Sequence, residues 1–294
     1  MSSRIVISGA GGLVGRVLAG QAREQGREVL ALTSSQWDIT DAGTAERFIA
    51  ADDVVVNCAA YTQVDAAEAE PERAAEVNTD GPENIAQACA RAGASLIHLS
   101  TDYVFSGSFP DGQEPHPYEI DDETGPVSVY GRTKLAGEFA VLAAMPDAHI
   151  VRSAWVFEGG DGSDFVAQMR LAAAGTGTVD VVADQIGSPT YVVDLCAALL
   201  TIADGMIREP VLHAANFGAA SRFEQAQAVF EEVGADPSRV RPVGSDRHPR
   251  PAPRPVYSAL SGVKSAAAGL TPLRPWREAL AAAMAAAGPL PSTP

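Results

Sequence analysis

Residues that form disulfides or bind metals are scarce in this chain. Its 294 residues include three cysteines, Cys58, Cys89 and Cys196, which are widely spaced and form no Cys-x-x-Cys pair. Such usage gives no disulfide framework and no zinc motif, and it is typical of proteins in a reducing cytosol. The five histidines show no metal-ligand spacing. We therefore expect a cytoplasmic protein without a disulfide or a metal site.

Positive charge and long apolar runs are also in short supply. Lys and Arg number 21 against 37 acidic residues, which gives a formal net charge of −16. Because a negative field repels phosphate backbones and anionic headgroups, we expect neither nucleic-acid binding nor docking on a membrane surface. No apolar run is long enough to span a bilayer, and the first residues do not resemble a signal peptide.

The first half of the chain alternates strand and helix patterns, and the second half is less regular. Alternation of this kind predicts an α/β fold in which helices cover both faces of a parallel sheet, a doubly wound sheet of the Rossmann type. Strands are predicted over residues 4–8, 28–32, 53–57, 95–100, 149–152, 179–182 and 211–215. Helices are predicted over residues 13–25, 71–92, 160–174, 190–203 and 276–287. Residues 106–127 are rich in Gly, Pro and acidic groups and predict a surface loop.

A glycine-rich turn follows the first predicted strand. Residues 9–15 read Gly-Ala-Gly-Gly-Leu-Val-Gly and open the first predicted helix. Glycines also make ordinary tight turns, but this strand–turn–helix context is the one that binds a dinucleotide pyrophosphate. Gly9, Gly12 and Gly15 would allow the turn, the approach of the pyrophosphate and close packing of the helix.

The end of the second predicted strand bears on the choice of cofactor. An acid at this position would bind the ribose hydroxyls of NAD and repel a 2′-phosphate. Residues 33–36 read Thr-Ser-Ser-Gln, so nothing there blocks NADPH, and no arginine there excludes NADH. Asp38 follows closely, either at the adenine edge or as a helix N-cap or turn acid.

Tyr130, Lys134 and Thr101 provide the chemistry of a carbonyl reductase. A spacing of four stacks Tyr130 and Lys134 on one face of a helix, although such pairs are often purely structural. Because a positive charge favours the phenolate, Lys134 is expected to ease ionisation of Tyr130. Thr101 ends a predicted strand, where open α/β sheets bind their ligands. These groups could exchange a proton at a carbonyl oxygen, while a nicotinamide would handle the hydride.

Two further groups have both a structural and a functional interpretation. Tyr103 and Trp155 lie just beyond predicted strands, so they are either core aromatics or residues that line a substrate cleft. A basic and Pro-rich stretch in this acidic chain is either a solvated linker or a source of guanidinium groups for a diphosphate, with Arg254 favoured. Its arginines are Arg239, Arg241, Arg247, Arg250 and Arg254.

Several longer motifs resemble the dTDP-4-dehydrorhamnose reductase family, which belongs to the extended short-chain dehydrogenases/reductases. The most specific are Ser-Thr-Asp-Tyr-Val-Phe at 100–105 and Asp-Gln-Ile-Gly-Ser-Pro-Thr at 184–190. Residues 57–65, 130–138, 152–157, 254–260 and 276–280 also match. The resemblance covers essentially the whole chain and is strongest to actinobacterial members, partly through residues 32–40.

The resemblance implies a fold and a reaction. Residues 1–155 would form a Rossmann domain that binds NAD(P), to which some later segments return, and residues 156–294 would form mainly a smaller substrate-binding part. The reaction would be the NADPH-dependent reduction of the 4-keto group of dTDP-6-deoxy-L-lyxo-4-hexulose to dTDP-L-rhamnose, the last step in forming this sugar donor for cell-wall and surface polysaccharide. NADH is a possible alternative cofactor.

The resemblance also implies roles for individual residues. Tyr130 would protonate the sugar O4, Lys134 would hold the nicotinamide ribose and lower the pKa of Tyr130, and Thr101 would hydrogen-bond the reacting oxygen. Besides Tyr130 and Lys134, the cofactor residues would be Gly9, Gly11, Gly12, Leu13, Val14, Gly15, Asp38, Ile39, Asn57, Ala59, Ala60 and Tyr61. The substrate residues would be Val64, Asp65, Thr101, Asp102, Tyr103, Tyr130, Trp155 and Arg254. The glycine-rich turn has no nearby glutamate for the Mg²⁺ that bridges subunits in some members, so we expect a monomer or a weak homodimer.

Two other hypotheses fit the same motifs. The first is another nucleotide-sugar enzyme, an epimerase or a 4,6-dehydratase. A dehydratase needs an acid and a base beside its central hydroxyl residue, and here Asp102 is followed by Tyr103 rather than by a second acid. The second is a non-catalytic, NADP-binding regulatory module. Such modules often lose the tyrosine or the lysine, and this chain has both.

Overall fold

The computed structural model describes residues 3–110 and 112–290. The strands in this part are β1 (Ile5–Ser8), β2 (Val29–Leu32), β3 (Val54–Asn57), β4 (Ser95–Thr101), β5 (His149–Ser153), β6 (Val156–Phe157), β7 (Val179–Val182), β8 (Ile186–Gly187), β9 (Thr190–Tyr191), β10 (Val211–His213), β11 (Ala220–Ser221) and β12 (Val240–Val243). The α-helices are α1 (Leu13–Glu24), α2 (Val64–Ala67), α3 (Pro71–Ala75), α4 (Gly81–Ala92), α5 (Val129–Ala144), α6 (Phe165–Ala174), α7 (Val192–Ala203), α8 (Arg222–Glu232), α9 (Val263–Ala267) and α10 (Trp276–Ala287).

The main sheet has the strand order β10-β5-β4-β3-β1-β2 within the described residues. Its neighbouring strands are all parallel. The chain proceeds outward from β1 to β2 on one side and from β3 to β5 on the other, so the order reverses between β1 and β3. In open α/β sheets, ligands bind outside the carboxyl ends of the strands at such a reversal. The topology therefore places the candidate site just beyond Ser8 and Asn57.

Alternate residues of the central strands belong to different cores. In β1, Ile5 and Ile7 join one buried cluster and Val6 joins the other, as the two-residue period of a strand requires. The first cluster includes Leu18 of α1 and Leu195 of α7, whereas the second includes residues of α4 and α5. Helices thus cover both faces, and the predicted doubly wound parallel sheet is confirmed.

The predicted helix over residues 71–92 is interrupted by one π-helical stretch, Glu76–Asp80, between α3 and α4. Pro71 occupies the first turn of α3, where its missing N–H is not needed. Helix α5 packs closely over the π stretch: a Cβ on Gly137 would lie 2.1 Å from the backbone oxygen of Asn78. This close approach holds the helix that carries Tyr130 and Lys134 against the π-helical stretch between α3 and α4.

The second half of the chain contributes both to the main sheet and to a separate group of packed helices. Strand β10 returns to the main sheet beside β5, and α7 packs on α1. Helices α6, α8 and α10 pack together, while β7 pairs with β12 beside them. One buried cluster runs from the main sheet into these helices and includes Phe230 and Leu280. The division at residue 155 remains a prediction.

The structure corrects several boundaries in the second half. Residues 160–164 are not helical, since α6 begins only after Asp164, whose side chain accepts a hydrogen bond from the Ala167 amide. Helix α8 and strand β12 were not predicted from the sequence. Strand β12 lies within the Pro- and Arg-rich stretch and is held by its parallel pairing with β7, a tertiary contact that local periodicity does not reveal.

No helix of the described residues is both long and apolar enough to cross a membrane.

Candidate active site

An open cleft of about 780 Å³ lies at the carboxyl edge of the main sheet, where the strand order reverses. Of the predicted site residues, it is lined by Gly9, Gly11, Gly12, Leu13, Val14, Gly15, Asp38, Ile39, Ala59, Ala60, Val64, Thr101, Asp102, Tyr103, Tyr130, Lys134 and Trp155. The cleft therefore joins the glycine-rich turn at one end to the tyrosine, lysine and threonine at the other. The cleft extends from the glycine-rich turn to Tyr130, so it can hold a dinucleotide and a second ligand next to it.

The glycine-rich turn is closed by backbone contacts that leave no room for side chains. Gly9 has a φ of +69°, and a Cβ there would lie 2.6 Å from the Ala59 amide nitrogen. A Cβ on Gly15 would lie 2.5 Å from the Gly9 carbonyl oxygen. Helix α1 begins with no side-chain cap at Gly12 and no acidic residue in its first turn. Its free N–H groups therefore fit a dinucleotide pyrophosphate.

The close packing of Gly15 leads to a paired prediction within α1. We expect Gly15→Ala to lower the free energy of unfolding by about 1–3 kcal/mol, because its methyl group meets backbone that cannot move aside, and to weaken NADP⁺ binding. Gly20 has open space around it, so Gly20→Ala is expected to raise stability by about 0.5–1 kcal/mol through helix propensity. Thermal denaturation and NADP⁺ titration would measure both, and equal effects of the two substitutions would contradict this packing.

The adenine end of the cleft contains residues that the sequence did not single out. Asp38 uses its side chain to fix a turn, since its Oδ1 accepts hydrogen bonds from the amide and hydroxyl of Thr40; these bonds lower the pKa of Asp38. Its carboxylate still borders the cleft, so both of its interpretations fit. Ser34 and Arg73 line the same end. Arg73 comes from α3, far from the end of β2 in sequence, so the local search for an arginine missed it.

Thr101 and Tyr130 meet at the other end of the cleft. Thr101 is the last residue of β4, and Tyr130 lies in the first turn of α5, which Ser128 caps. Burial raises the pKa of the phenol and Asp102 adds to the rise, while the adjacent Thr101 hydroxyl acts in the opposite direction. The pKa of Tyr130 is therefore raised, contrary to the expectation that Lys134 eases its ionisation. At neutral pH the phenol therefore carries the proton that a general acid has to donate.

Lys134 is held by buried polar groups beneath the cleft. Its Nζ donates a hydrogen bond to the Leu99 carbonyl at 2.7 Å and lies 3.4 Å from Nε2 of His98. Burial lowers the pKa of Lys134 to about 8, although Glu138 and Cys58 act in the opposite direction. The ammonium form therefore still predominates at neutral pH. Nζ is hydrogen-bonded to the Leu99 carbonyl, and Lys134 is not among the groups that shift the pKa of Tyr130.

Asn57 contacts His98, the neighbour of Lys134, beneath the cleft. Its Oδ1 accepts hydrogen bonds from the Ser8 hydroxyl and the Ala59 amide, and its Nδ2 lies 3.0 Å from Nδ1 of His98. Because two donors fix the amide, Asn57 donates to Nδ1 of His98, so the proton of the neutral ring is on Nε2 and the ring accepts no hydrogen bond from Lys134. Asn57 therefore does not line the cleft, and its assignment as a cofactor residue stays a prediction.

Asp102 is buried at the sugar end of the cleft. It is 2% exposed, and its carboxylate accepts hydrogen bonds from the hydroxyls of Ser258 at 2.6 Å and Thr101 at 3.1 Å. Burial raises its pKa to about 6 in spite of these bonds and of the nearby Arg222. Asp102 thus titrates close to neutral pH beside the groups assigned to catalysis.

The raised pKa of Asp102 predicts a pH-dependent stability. Because the folded-state value lies above the unfolded one, the associated stabilisation is present below about pH 4 and is lost as the pH rises through 6, by about 3 kcal/mol in total. The difference in unfolding free energy between wild type and Asp102→Asn should fall by that amount between those limits. Denaturation across pH 4–8 would measure it, with the exposed Asp121→Asn as control. Parallel wild-type and Asp102→Asn profiles would contradict the prediction.

Trp155 has a strained backbone and a tightly bounded ring. Its φ of +44° is rare for a bulky residue, and such strain accumulates at functional sites. A Cβ on Gly187 would lie 2.4 Å from the indole, so only glycine fits there. The guanidinium carbon of Arg222 lies 3.5 Å from the centroid of the indole ring. Arg222 also lines the cleft.

Arg222 is a cleft residue that the sequence interpretation missed. It occupies the first position of α8, whose start is set by a reciprocal capping box between Ser221 and Glu224. The spacing of Ser221 and Glu224 is a sequence signal for a helix start. That signal would have located the helix but not the contact between Arg222 and Trp155, which depends on the packing of α8.

Three other predicted residues do not line the cleft. The Tyr61 hydroxyl donates to Glu70, and its amide donates to Asn78. Arg254 forms a two-point ion pair with Asp65, with N–O distances of 2.6 and 3.0 Å, and that contact lowers the pKa of Asp65. Burial raises the pKa of Tyr103, which lines the cleft, and Arg254 lies close enough to act in the opposite direction. The assignments of Tyr61, Asp65 and Arg254 stay predictions.

Among the other arginines of the basic stretch, Arg250 lies 3.6 Å from the same Asp65 carboxylate, whereas Arg239 and Arg241 have partners elsewhere. Arg239 donates to the backbone oxygens of Ala172, Ala173 and Gly177, and Arg241 pairs with Asp180. Among the described residues, no group of three or more His, Cys, Asp or Glu side chains could hold a metal ion.

A glycine-rich turn after β1, with a threonine at the end of β4 and a tyrosine–lysine pair on α5, defines a dinucleotide-binding α/β protein of the short-chain dehydrogenase/reductase class. Comparisons with known proteins narrow the class to a family. The family model described as RmlD substrate binding domain matches residues 3–288. A dTDP-4-dehydrorhamnose reductase from Mycolicibacterium smegmatis is 67% identical over 300 aligned residues, which cover 100% of this chain and 90% of the relative.

Solved structures agree with these sequence matches. A dTDP-4-dehydrorhamnose reductase from Clostridium acetobutylicum matches with a TM-score of 0.87 at 35% identity, covering 95% of this chain and 97% of that chain. The reductase from Bacillus anthracis, determined in complex with NADP, matches with a TM-score of 0.87 at 31% identity, covering 95% and 98%. The chain belongs to the dTDP-4-dehydrorhamnose reductase family.

Proposed function

We propose that this protein reduces the 4-keto group of dTDP-6-deoxy-L-lyxo-4-hexulose with NADPH and forms dTDP-L-rhamnose. The observation that carries the proposal is the convergence of Thr101, Tyr130 and Lys134 in the cleft that begins at the glycine-rich turn. Family membership provides the substrate class, and the three side chains provide the chemistry.

Tyr130 is the proton donor in this proposal. Bound NADPH supplies the hydride for the sugar C4. Tyr130 transfers its phenolic proton to O4 as the hydride arrives at C4 and the oxygen becomes basic. The Thr101 hydroxyl adjoins the phenol and the same oxygen. A positioned acid of this kind typically contributes about 10²–10⁴-fold in rate.

Lys134 and the glycine-rich turn hold the cofactor. The uncapped start of α1 would bind the pyrophosphate, and the ammonium of Lys134 would bind the nicotinamide ribose. The absence of an acid at the end of β2 permits the 2′-phosphate of NADPH. Ser34 offers a hydroxyl and Arg73 a positive charge at the same end of the cleft, which favours NADPH over NADH.

Val64, Tyr103 and Trp155 line the sugar end of the cleft in this proposal, and Asp102 fixes the Thr101 hydroxyl. Segments after residue 155, including the start of α8, supply the outer wall, in keeping with a substrate-binding role for the second half. We also propose that the enzyme acts in the cytoplasm, because NADPH and nucleotide sugars are cytoplasmic metabolites. We propose a monomer or weak homodimer, because the glycine-rich turn has no nearby glutamate for a Mg²⁺ that bridges subunits.

The substrate can be tested by following NADPH oxidation at 340 nm. The assay supplies dTDP-4-keto-6-deoxy-glucose with and without a 3,5-epimerase. Oxidation that requires the epimerase supports the proposed L-lyxo-hexulose substrate. Oxidation without the epimerase would instead identify a reductase of the unepimerised sugar, and a lack of oxidation in both arms would contradict the proposal.

A further inference from the structure

Arg222 is a positively charged group of the cleft with no acidic partner. Its Nη1 donates to the amide oxygen of Gln225 at 3.1 Å, and its guanidinium carbon lies 3.5 Å from the centroid of the Trp155 ring and 4.9 Å from that of Phe165. Within the described residues it forms no ion pair with a carboxylate. A guanidinium has five N–H donors, so most of those on Arg222 remain available to a ligand.

The position of Arg222 is costly for the free protein. Burial lowers the pKa of Arg222 to about 10 and the neighbouring Arg254 adds to that effect, whereas Tyr103 and the buried Asp102 act in the opposite direction. A desolvated charge without a partner opposes folding, and perturbed charges in a cleft are candidates for functional groups. The aromatic contacts hold the guanidinium against Trp155 but do not neutralise it, and the buried Asp102 attracts it without forming an ion pair, so the guanidinium is left to bind an anionic ligand.

The surroundings of Arg222 select the kind of ligand. Burial raises the pKa of the Tyr103 phenol, and Arg222 and Arg254 both lie close enough to act in the opposite direction, so two guanidinium groups adjoin this one cleft residue. Arg254 is balanced by Asp65, whereas Arg222 is not. This local positive charge stands out in a chain with a formal net charge of −16. A planar fork of N–H donors matches the oxygens of a phosphate group.

We propose that Arg222 binds the diphosphate of the nucleoside-diphosphate sugar, with its guanidinium held in place by the ring of Trp155. The inference rests on the proposed function, since it takes the second ligand of the cleft to be a sugar joined to a nucleoside diphosphate. Trp155 then lies between the sugar end of the cleft and the cation that holds the diphosphate, so the two halves of the substrate are positioned by neighbouring side chains.

Two substitutions separate the charge from the packing of Arg222. Arg222→Met keeps an unbranched stem against Trp155 but removes the charge and the N–H donors, and Arg222→Lys keeps the charge. Arg23→Met, at an exposed position of α1, is the matched control. Calorimetric titration of each purified protein with dTDP measures the diphosphate site. Titration with NADP⁺ measures the other end of the cleft and reports whether the protein is intact.

We expect Arg222→Met to weaken dTDP binding by about 10- to 100-fold, the range for hydrogen bonds to a charged group. NADP⁺ binding should stay within about twofold, and Arg222→Lys should bind dTDP more tightly than Arg222→Met. In turnover, Arg222→Met should raise KM far more than it lowers kcat. Wild-type dTDP affinity in Arg222→Met, equal affinities of the two variants, or an equal loss of NADP⁺ binding would overturn the inference.

The same experiment distinguishes this inference from the proposed function. If wild-type protein binds dTDP through Arg222 but reduces neither keto sugar, the proposed reaction is wrong and the diphosphate site stands. If wild type reduces a keto sugar while Arg222→Met retains full dTDP affinity, the reaction stands and the diphosphate site is wrong.

Discussion

Tyr130→Phe is expected to lower kcat by about 10²–10⁴-fold while NADP⁺ affinity changes little. The substitution removes the phenolic proton and leaves the ring, which packs edge-on against Tyr103 with its centroid 5.5 Å away. The glycine-rich turn lies at the other end of the cleft and should be unaffected. Turnover of the keto sugar and titration with NADP⁺ would measure the two effects separately.

A matched control for this substitution is available in the same chain. Tyr118 also has a hydrogen-bonded hydroxyl, but it accepts from the Gly107 amide, away from the cleft. Tyr118→Phe should therefore leave kcat within a few-fold of wild type. If Tyr130→Phe turned over at the wild-type rate, the assignment of the proton donor would be wrong, whatever the result for Tyr118.

Arg152→Met is expected to lower the free energy of unfolding by about 3–5 kcal/mol, because it leaves a buried carboxylate without its partner. Arg152 of β5 and Glu138 of α5 form a two-point ion pair with closest contact at 2.7 Å, and both side chains are almost fully buried. Glu138 also accepts a 2.5 Å hydrogen bond from Ser100. The pair therefore joins α5 to β4 and β5 directly beneath Lys134.

Two controls make this second prediction specific. Arg277→Met breaks a pair with Glu231 that is about half exposed, and it should cost less than about 1 kcal/mol. The double variant Arg152→Met/Glu138→Leu removes both buried charges and should recover much of the loss. Chemical denaturation would measure all three. Equal losses of unfolding free energy for Arg152→Met and Arg277→Met would contradict the prediction, because the buried pair would then stabilise the fold no more than an exposed one.

Much of the main sheet could be predicted from local patterns. Each strand from β1 to β5 is a short apolar run bounded by polar or turn residues, and periodicity is sufficient to find such runs. The glycine-rich turn could be recognised because its chemistry depends on residues adjacent in sequence. The same holds for Tyr130 and Lys134, whose spacing of four places them on one helix face.

The features that could not be predicted depend on contacts between distant segments. Arg222 reaches Trp155, and Arg73 reaches the adenine end, only through the packing of α8 and α3. Asn57, the last residue of β3, was assigned to the cofactor by the family resemblance, but Ser8 and His98 occupy its amide. The pKa of Tyr130 is set by burial and by Asp102 rather than by the lysine that shares its helix face. Motif spacing contains no information about these distances.

The central claim is that Tyr130 completes a hydride reduction at C4 of a dTDP-linked keto sugar. The most direct test uses NADPH carrying deuterium on the transferable position of the nicotinamide, with dTDP-4-keto-6-deoxy-glucose and a 3,5-epimerase present. NMR of the product should show dTDP-L-rhamnose with deuterium at C4 of the sugar, and Tyr130→Phe should form little of it. Deuterium at any other carbon, or NADPH oxidation without labelled sugar, would contradict the account.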